Sequence, residues 1–247
     1  MVPRIAYCGA PPFPGELLHR FNLDPVLIAV LALLTLAHCV LVRGRKARTY
    51  ALCGWLVAAA AFLSPLCALS VSLFCARIAQ HMILLLIAAP LIALAWPKPL
   101  SQRGARTAWI AAAAFFVVLW FWHMPVPYDA TFSSSFVYWL MHVSLFGSGI
   151  ALWRELLQHR RSHTGEILLV STLSSMQMGL LGALFTLAAR PLFLAHLSTT
   201  AAWGYTPLQD QQLGGILMWV PGIVLFLWVG LRAIQRLWST LEEVNSV

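Results

Sequence analysis

Phe74-Cys-Ala-Arg-Ile-Ala-Gln-His-Met-Ile-Leu-Leu-Leu-Ile-Ala-Ala-Pro-Leu-Ile-Ala-Leu-Ala-Trp96 decides which solvent this chain folds in. Arg77, Gln80 and His81 are its strongly polar side chains, and everything after His81 is apolar. A helix of this length reaches across a hydrocarbon core of about 30 Å. Working outward, six more apolar runs flank it. The set predicts spans over 25–42, 50–69, 74–96, 107–122, 136–153, 167–189 and 212–234. The 247 residues are 60% hydrophobic and 10% charged, with a mean hydropathy of +0.80. A soluble domain of this size cannot hide that much apolar surface from water. No period-2 alternation is present, and backbone groups in lipid must pair within their own segment. The expected fold is an all-α membrane protein: one seven-span domain over 1–247, without internal repeats.

The loops predict orientation. Arg43, Arg45, Lys46 and Arg48 follow the first span, and Lys98, Arg103 and Arg106 the third. Arg154, Arg160 and Arg161 follow the fifth, and Arg232 and Arg236 the seventh. Only Arg4, Arg20, Arg77 and Arg190 fall on the other side. The positive-inside rule then places the N-terminus outside and the C-terminus in the cytoplasm. Basic loops facing anionic lipid account for a pI near 9.8, so no nucleic-acid partner is expected. The first 24 residues are Pro-rich and lack the apolar stretch of a cleaved signal peptide.

On this topology the histidines gather outside. His81 and His142 lie about two turns into spans three and five from their outer ends, and His123 ends span four. His196, Asp129 and Asp210 lie in the two longer outer loops. Three imidazoles at similar depth on consecutive helices can converge on one metal, and imidazole suits copper, zinc and iron. Met124 and Met218 are weaker candidates, since thioether sulfur selects Cu(I). Against this, a lone intramembrane histidine often serves only as a hydrogen-bonding group between helices. His38 reads that way, and His159 and His163 read as part of a solvated basic face. Asp129 and Asp210 could orient ligand imidazoles, or Asp210 could simply cap the helix it opens.

The five cysteines form no CxxC or CxC pair. Cys67 and Cys75 flank an outer turn and could form a disulfide in an oxidising compartment. Trp96, Trp120, Trp122, Trp139, Trp153 and Trp219 sit near span ends, where an aromatic belt is expected. Glycine pairs at 147/149, 179/182 and 214/215 are expected to let helices approach closely. Nucleotide-binding, GxSxG and HExxH motifs are absent.

Four stretches carry a resemblance. They are Gln80-His-Met-Ile-Leu-Leu-Leu-Ile-Ala-Ala-Pro90, Trp122-His-Met-Pro-Val-Pro-Tyr-Asp129, Gly179-Leu-Leu-Gly-Ala-Leu-Phe-Thr186 with Arg190, Pro191 and His196, and Asp210-Gln-Gln-Leu-Gly-Gly-Ile-Leu-Met-Trp-Val-Pro-Gly222. Together they resemble the CtaG family of integral membrane assembly factors for caa-type cytochrome c oxidase. The resemblance implies a bacterial inner-membrane protein that matures a haem-copper oxidase. It carries over His81, His123, His142 and His196, with Asp129, Asp210 and Gln211. Many relatives have a histidine where this chain has Arg77.

The reading is therefore a non-enzymatic assembly factor handling copper, as Cu(I), at the outer half of the membrane. His81, His123 and His142 are the expected ligands. Asp129, His196, Asp210, Gln211, Met124 and Met218 are the supporting candidates. The expected partners are oxidase subunits, the lipid bilayer and a periplasmic copper chaperone. A haem-binding membrane oxidoreductase, a copper or proton transporter and a metal-free scaffold are the alternatives.

Overall fold

The computed structural model describes residues 6–96, 105–158 and 164–245, with the side chains of 105, 236–237 and 240–245 left aside. Arg4, Lys98, Arg103, His159, Arg160, Arg161 and His163 lie outside the described residues, so the basic loops expected there are not described. All seven expected spans are helical over most of their length. The helices are α1 (Pro25–Leu41), α2 (Arg45–Leu63), α3 (Leu66–Ser72), α4 (Phe74–Met82), α5 (Ala89–Ala95), α6 (Ala105–Trp122), α7 (Pro125–Ala130), α8 (Ser135–Gln158), α9 (Thr164–Thr186) and α10 (Pro207–Asn245). Four are long and apolar enough to cross a membrane: Phe74–Ala95, Ser135–Gln158, Thr164–Thr186 and Pro207–Gln235. A fifth is gained if α2 and α3 count as one span, and Pro25–Leu41 and Arg106–Trp122 are shorter apolar helices.

Two prolines shape the bundle. The expected single span over 50–69 is in fact α2 and α3, bent by 47° at Ser64 and Pro65. Pro65 has no N–H, so the Ala61 carbonyl loses its helical partner. Gln80 Nε2 supplies a replacement at 2.8 Å. Pro90 does the same inside Phe74–Ala95. There α4 and α5 join through a π-helical stretch, Ile83–Ala88. The Ala89 N–H reaches back five residues to Leu84 O, and in that register Leu85 O waits for an N–H that Pro90 lacks. The Trp153 indole donates to Leu85 O at 2.6 Å. Trp153 and Trp122 are thus buried in the protein, not in the aromatic belt the sequence suggested.

Phe74–Ala95 is the axis. In its most apolar window 67% of residues are buried, against 33–39% for the other three long helices. It packs on α10 through α4, and on α2 and α8 through α5. Around it α1 packs on α2, α6 on α8 and α9, and α9 on α10. The α9–α10 seam is close. A Cβ on Gly215 would stand 2.5 Å from Gly182 O, so side chains there would push the helices apart.

Four connecting segments meet at one end. Ser72 donates to Pro12 O, Thr199 donates to Ser72 O, and Asp129 accepts from Leu194 N and Ala195 N. A Cys8–Cys67 disulfide pins the N-terminal segment here. The pairing expected of Cys67 with Cys75 is not formed. Cys75 is a free, buried thiol, because Cys67 faces the N-terminal segment.

Candidate functional site

Just inside this end, α4, α8 and the turn after α6 bring His81, His142 and His123 together. His81 Nδ1 lies 3.4 Å from His123 Nε2. The His81 ring centre is 5.4 Å from that of His123 and 5.2 Å from that of His142, both edge to face. All three are at least 98% buried, at 1%, 1% and 2% exposed. His123 Nδ1 lies 2.7 Å from Leu119 O and His142 Nδ1 2.9 Å from Tyr138 O, each one helical turn back. A carbonyl only accepts, so each Nδ1 carries the proton and each Nε2 of the neutral ring carries a lone pair. The helix backbone has fixed both tautomers.

His81 cannot satisfy everything around it. If its Nδ1–H donates to His123 Nε2, then its own Nε2 is a second bare lone pair. His81 Nε2 and His142 Nε2 are both buried with no hydrogen-bond partner. An unmatched buried acceptor costs about 1–3 kcal/mol. These two rings touch, their centres 5.2 Å apart, and with His123 Nε2, once the His81–His123 bond opens, they form a donor set suited to a cation that accepts nitrogen. Among the described residues, no three His, Cys, Asp or Glu side chains close around one metal ion in this arrangement. In the other tautomer of His81 its Nδ1 is bare, and it then stands 3.4 Å from His123 Nε2, the separation of two donors each about 2 Å from a shared ion.

The other candidates serve the frame. Asp210 is buried, and its carboxylate accepts from Phe74 N at 2.7 Å and Cys75 N at 3.0 Å. It caps the start of α4, one helix away, not the start of its own helix as the sequence suggested. The start of α10 has a capping box instead. Thr206 Oγ1 accepts from Gln209 N, and Gln209 Oε1 accepts from Thr206 N. That Thr-Pro-Leu-Gln signal stands in the sequence at 206–209 and was open to reading. Asp129 holds the N–H groups of Leu194 and Ala195, both at 3.3 Å, in the 3₁₀ turn that carries His196. Burial pushes its carboxyl up and those two bonds pull it back. Gln211 accepts from Leu192 N and donates to Phe185 O, tying the same loop to α9.

His196 is 2% exposed and stands apart from the three, with Nε2 2.7 Å from Tyr128 Oη. Burial first, and then the charge of Arg77, pushes its imidazole down to about 3. Met124 is 50% exposed, and Met218 is packed in the core. His38 has the structural role expected: its Nδ1 accepts from Trp55 Nε1 at 3.1 Å.

Tyr138 and Gln80 escaped the sequence reading. Tyr138 provides the carbonyl that orients His142, its ring lies 4.2 Å from that imidazole, and its hydroxyl lies 3.4 Å from Cys8 Sγ. A tyrosine four residues before a histidine on one helix is the signal that could have found it.

Comparison with family models matches the chain to the cytochrome c oxidase caa3 assembly factor (Caa3_CtaG) family over residues 33–240. The chain belongs to that family. No curated protein and no solved structure matches it. The matched region contains His81, His123, His142 and His196 as well as Asp129 and Asp210. The resemblance seen in the four sequence stretches is thereby placed on a family of oxidase assembly factors.

Proposed function

We propose that the protein helps mature a haem-copper cytochrome c oxidase by handling Cu(I) at the outer, periplasmic half of a bacterial inner membrane. It acts without catalytic turnover of its own, and its partners are oxidase subunits and a periplasmic copper donor. The observation that carries this is the His81, His123 and His142 group: three buried rings packed around His81, with backbone-fixed tautomers at His123 and His142 and bare Nε2 atoms at His81 and His142. Neutral imidazole is a ligand for soft and borderline ions. A bis-histidine haem needs a porphyrin between its two rings. Here the rings touch edge to face, which favours a bare ion over haem.

The reading includes seven crossings with the N-terminus outside. They comprise the four long helices, the bent α2–α3 pair and two helices of 17 residues, at the lower limit for a span. Basic residues crowd the opposite end, and the Cys8–Cys67 disulfide suits an oxidising compartment on the histidine side. The test is metal analysis of the detergent-purified chain after Cu(I) loading, beside a His81→Ala/His123→Ala/His142→Ala variant. Retained copper in the wild type and none in the variant is the expected result. Equal copper in both, or none in either, would remove these histidines from copper handling.

A further inference from the structure

We propose that Arg77 sets the charge of the ion this site accepts, its unneutralised guanidinium favouring monovalent Cu(I) over divalent ions such as Zn(II). The inference rests on the copper reading above and assigns selectivity within it. Three neutral imidazoles do not select by themselves, since imidazole binds copper and zinc alike.

Arg77 is 0% exposed, one turn before His81 on the same helix. All its partners are neutral. Nε donates to Ser70 O at 3.3 Å and Nη1 to Thr131 Oγ1 at 2.7 Å. The guanidinium carbon lies over the rings of Phe132 at 4.0 Å, Tyr128 at 5.4 Å and Tyr138 at 5.7 Å. Nη2 is buried without a partner. Among the described residues no carboxylate reaches ion-pair distance of it. The buried acid Asp210 and the half-buried Asp129 are both committed to backbone N–H groups. A full positive charge therefore stands uncompensated beside the imidazoles.

Its reach can be bounded. The guanidinium carbon is 5.7 Å from the Tyr138 ring centre, and that centre is 4.2 Å from the His142 ring centre, so charge and imidazole are within about 10 Å. Repulsion scales with the charge of the incoming ion, and at about 10 Å with an effective dielectric near 20 each unit charge weakens binding roughly tenfold. A divalent ion meets that factor twice and a monovalent ion once. Arg77 thus adds roughly tenfold preference for the monovalent ion, on top of whatever the donor atoms prefer.

The test uses the full-length chain in detergent, anaerobic and free of thiols so that the disulfide stays closed. Cu(I) affinity is read by competition with a colorimetric chelator and Zn(II) affinity with a fluorescent one. Arg77→Met is expected to strengthen Cu(I) binding about tenfold and Zn(II) about a hundredfold, moving their ratio about tenfold. Thr131→Asp keeps Arg77 in place and puts a carboxylate beside Nη1. It should move the ratio the same way, and it carries the test if the Met variant fails to fold. Arg77→Lys should leave the ratio near the wild-type value. A purely structural Arg77 predicts no change of ratio in either variant, and that result, with Cu(I) still bound by the wild type, overturns the inference while copper handling stands. Binding of Zn(II) by Thr131→Asp in a protein whose wild type holds no metal would uphold the role of Arg77 and sink copper handling. No metal in any variant overturns both.

Discussion

The two ends of the bundle gather their buried polar groups differently. At the end bearing the basic residues, and at mid-depth, several buried polar side chains repair specific defects. Trp153 fills the carbonyl left by Pro90, and Gln158 Nε2 donates to Ala93 O and Trp96 O where α5 stops. Gln80 fills the carbonyl left by Pro65 in the same way. At the loop-rich end the carboxylates also repair backbone, but the cations and imidazoles remain in surplus. Arg77 Nη2, His81 Nε2, His142 Nε2 and His196 Nδ1 have no partner. A buried polar atom without a partner weakens a fold. Single unpartnered atoms also stand at the other end and at mid-depth, among them His38 Nε2, Gln158 Oε1 and Gln177 Nε2, so what sets the loop-rich end apart is that its unpartnered guanidinium and imidazole nitrogens lie close together, and that cluster marks where the molecule meets something else.

That division fails most visibly if a repairing group proves dispensable. Asp210→Ala removes the acceptor for two buried N–H groups, each costing about 1–3 kcal/mol when orphaned, so a loss of about 2–6 kcal/mol is expected. Asp210→Asn should fall between, since one amide oxygen serves only one N–H well. Thermal unfolding in detergent, with membrane levels by blot, checks this. Near-wild-type stability of the Ala variant would make Asp210 part of the surplus and return it to the metal chemistry.

The disulfide closes a loop with a sequence separation of 59, and removing such a crosslink costs about 2–4 kcal/mol. Cys8→Ser/Cys67→Ser should unfold at a correspondingly lower temperature. Reduced wild type should match it, which separates lost crosslinking from altered packing. Next in size is Trp153→Phe, which keeps the ring but leaves Leu85 O bare, for about 1–3 kcal/mol. If unfolding temperatures show no loss, the π-helical stretch finds another donor and the repair argument weakens.

How much of this the sequence disclosed follows from the range of each signal. Apolar runs are local, so the helices at 74–95, 107–122 and 136–153 stand within a few residues of their expected ends. Pro65 was visible too, yet a bend depends on what replaces the lost hydrogen bond, and Gln80 comes 15 positions later in the chain. Depth along a span is also local, and it brought His81, His123 and His142 together correctly as a group. The function of Asp210 was not legible. Its partners at Phe74 and Cys75 are 136 and 135 positions away, and no spacing rule links a helix start to a carboxylate on another helix. The partner of Cys67 was misjudged for the same reason: sequence nearness favoured Cys75, and the fold brought in Cys8.

The smallest expected effect is the most discriminating. His142→Leu deletes a ring whose Nδ1–H bond to Tyr138 O is a local addition to a carbonyl of its own helix, and whose Nε2 has no partner. Replacing an unmatched buried polar group by an apolar one of similar volume is close to neutral. The ring also touches Phe62, Tyr138 and His81, and leucine preserves most of that contact. Stability should stay within about 1 kcal/mol of wild type, a shift of only a few degrees. Oxidase maturation in a strain lacking the wild-type protein should nevertheless fail. That pairing, intact fold with lost maturation, is what a group kept for a ligand predicts. A variant that unfolds like Asp210→Ala would show His142 to be a structural member of the core, and the contrast between the two ends would then rest on His81, His196 and Arg77.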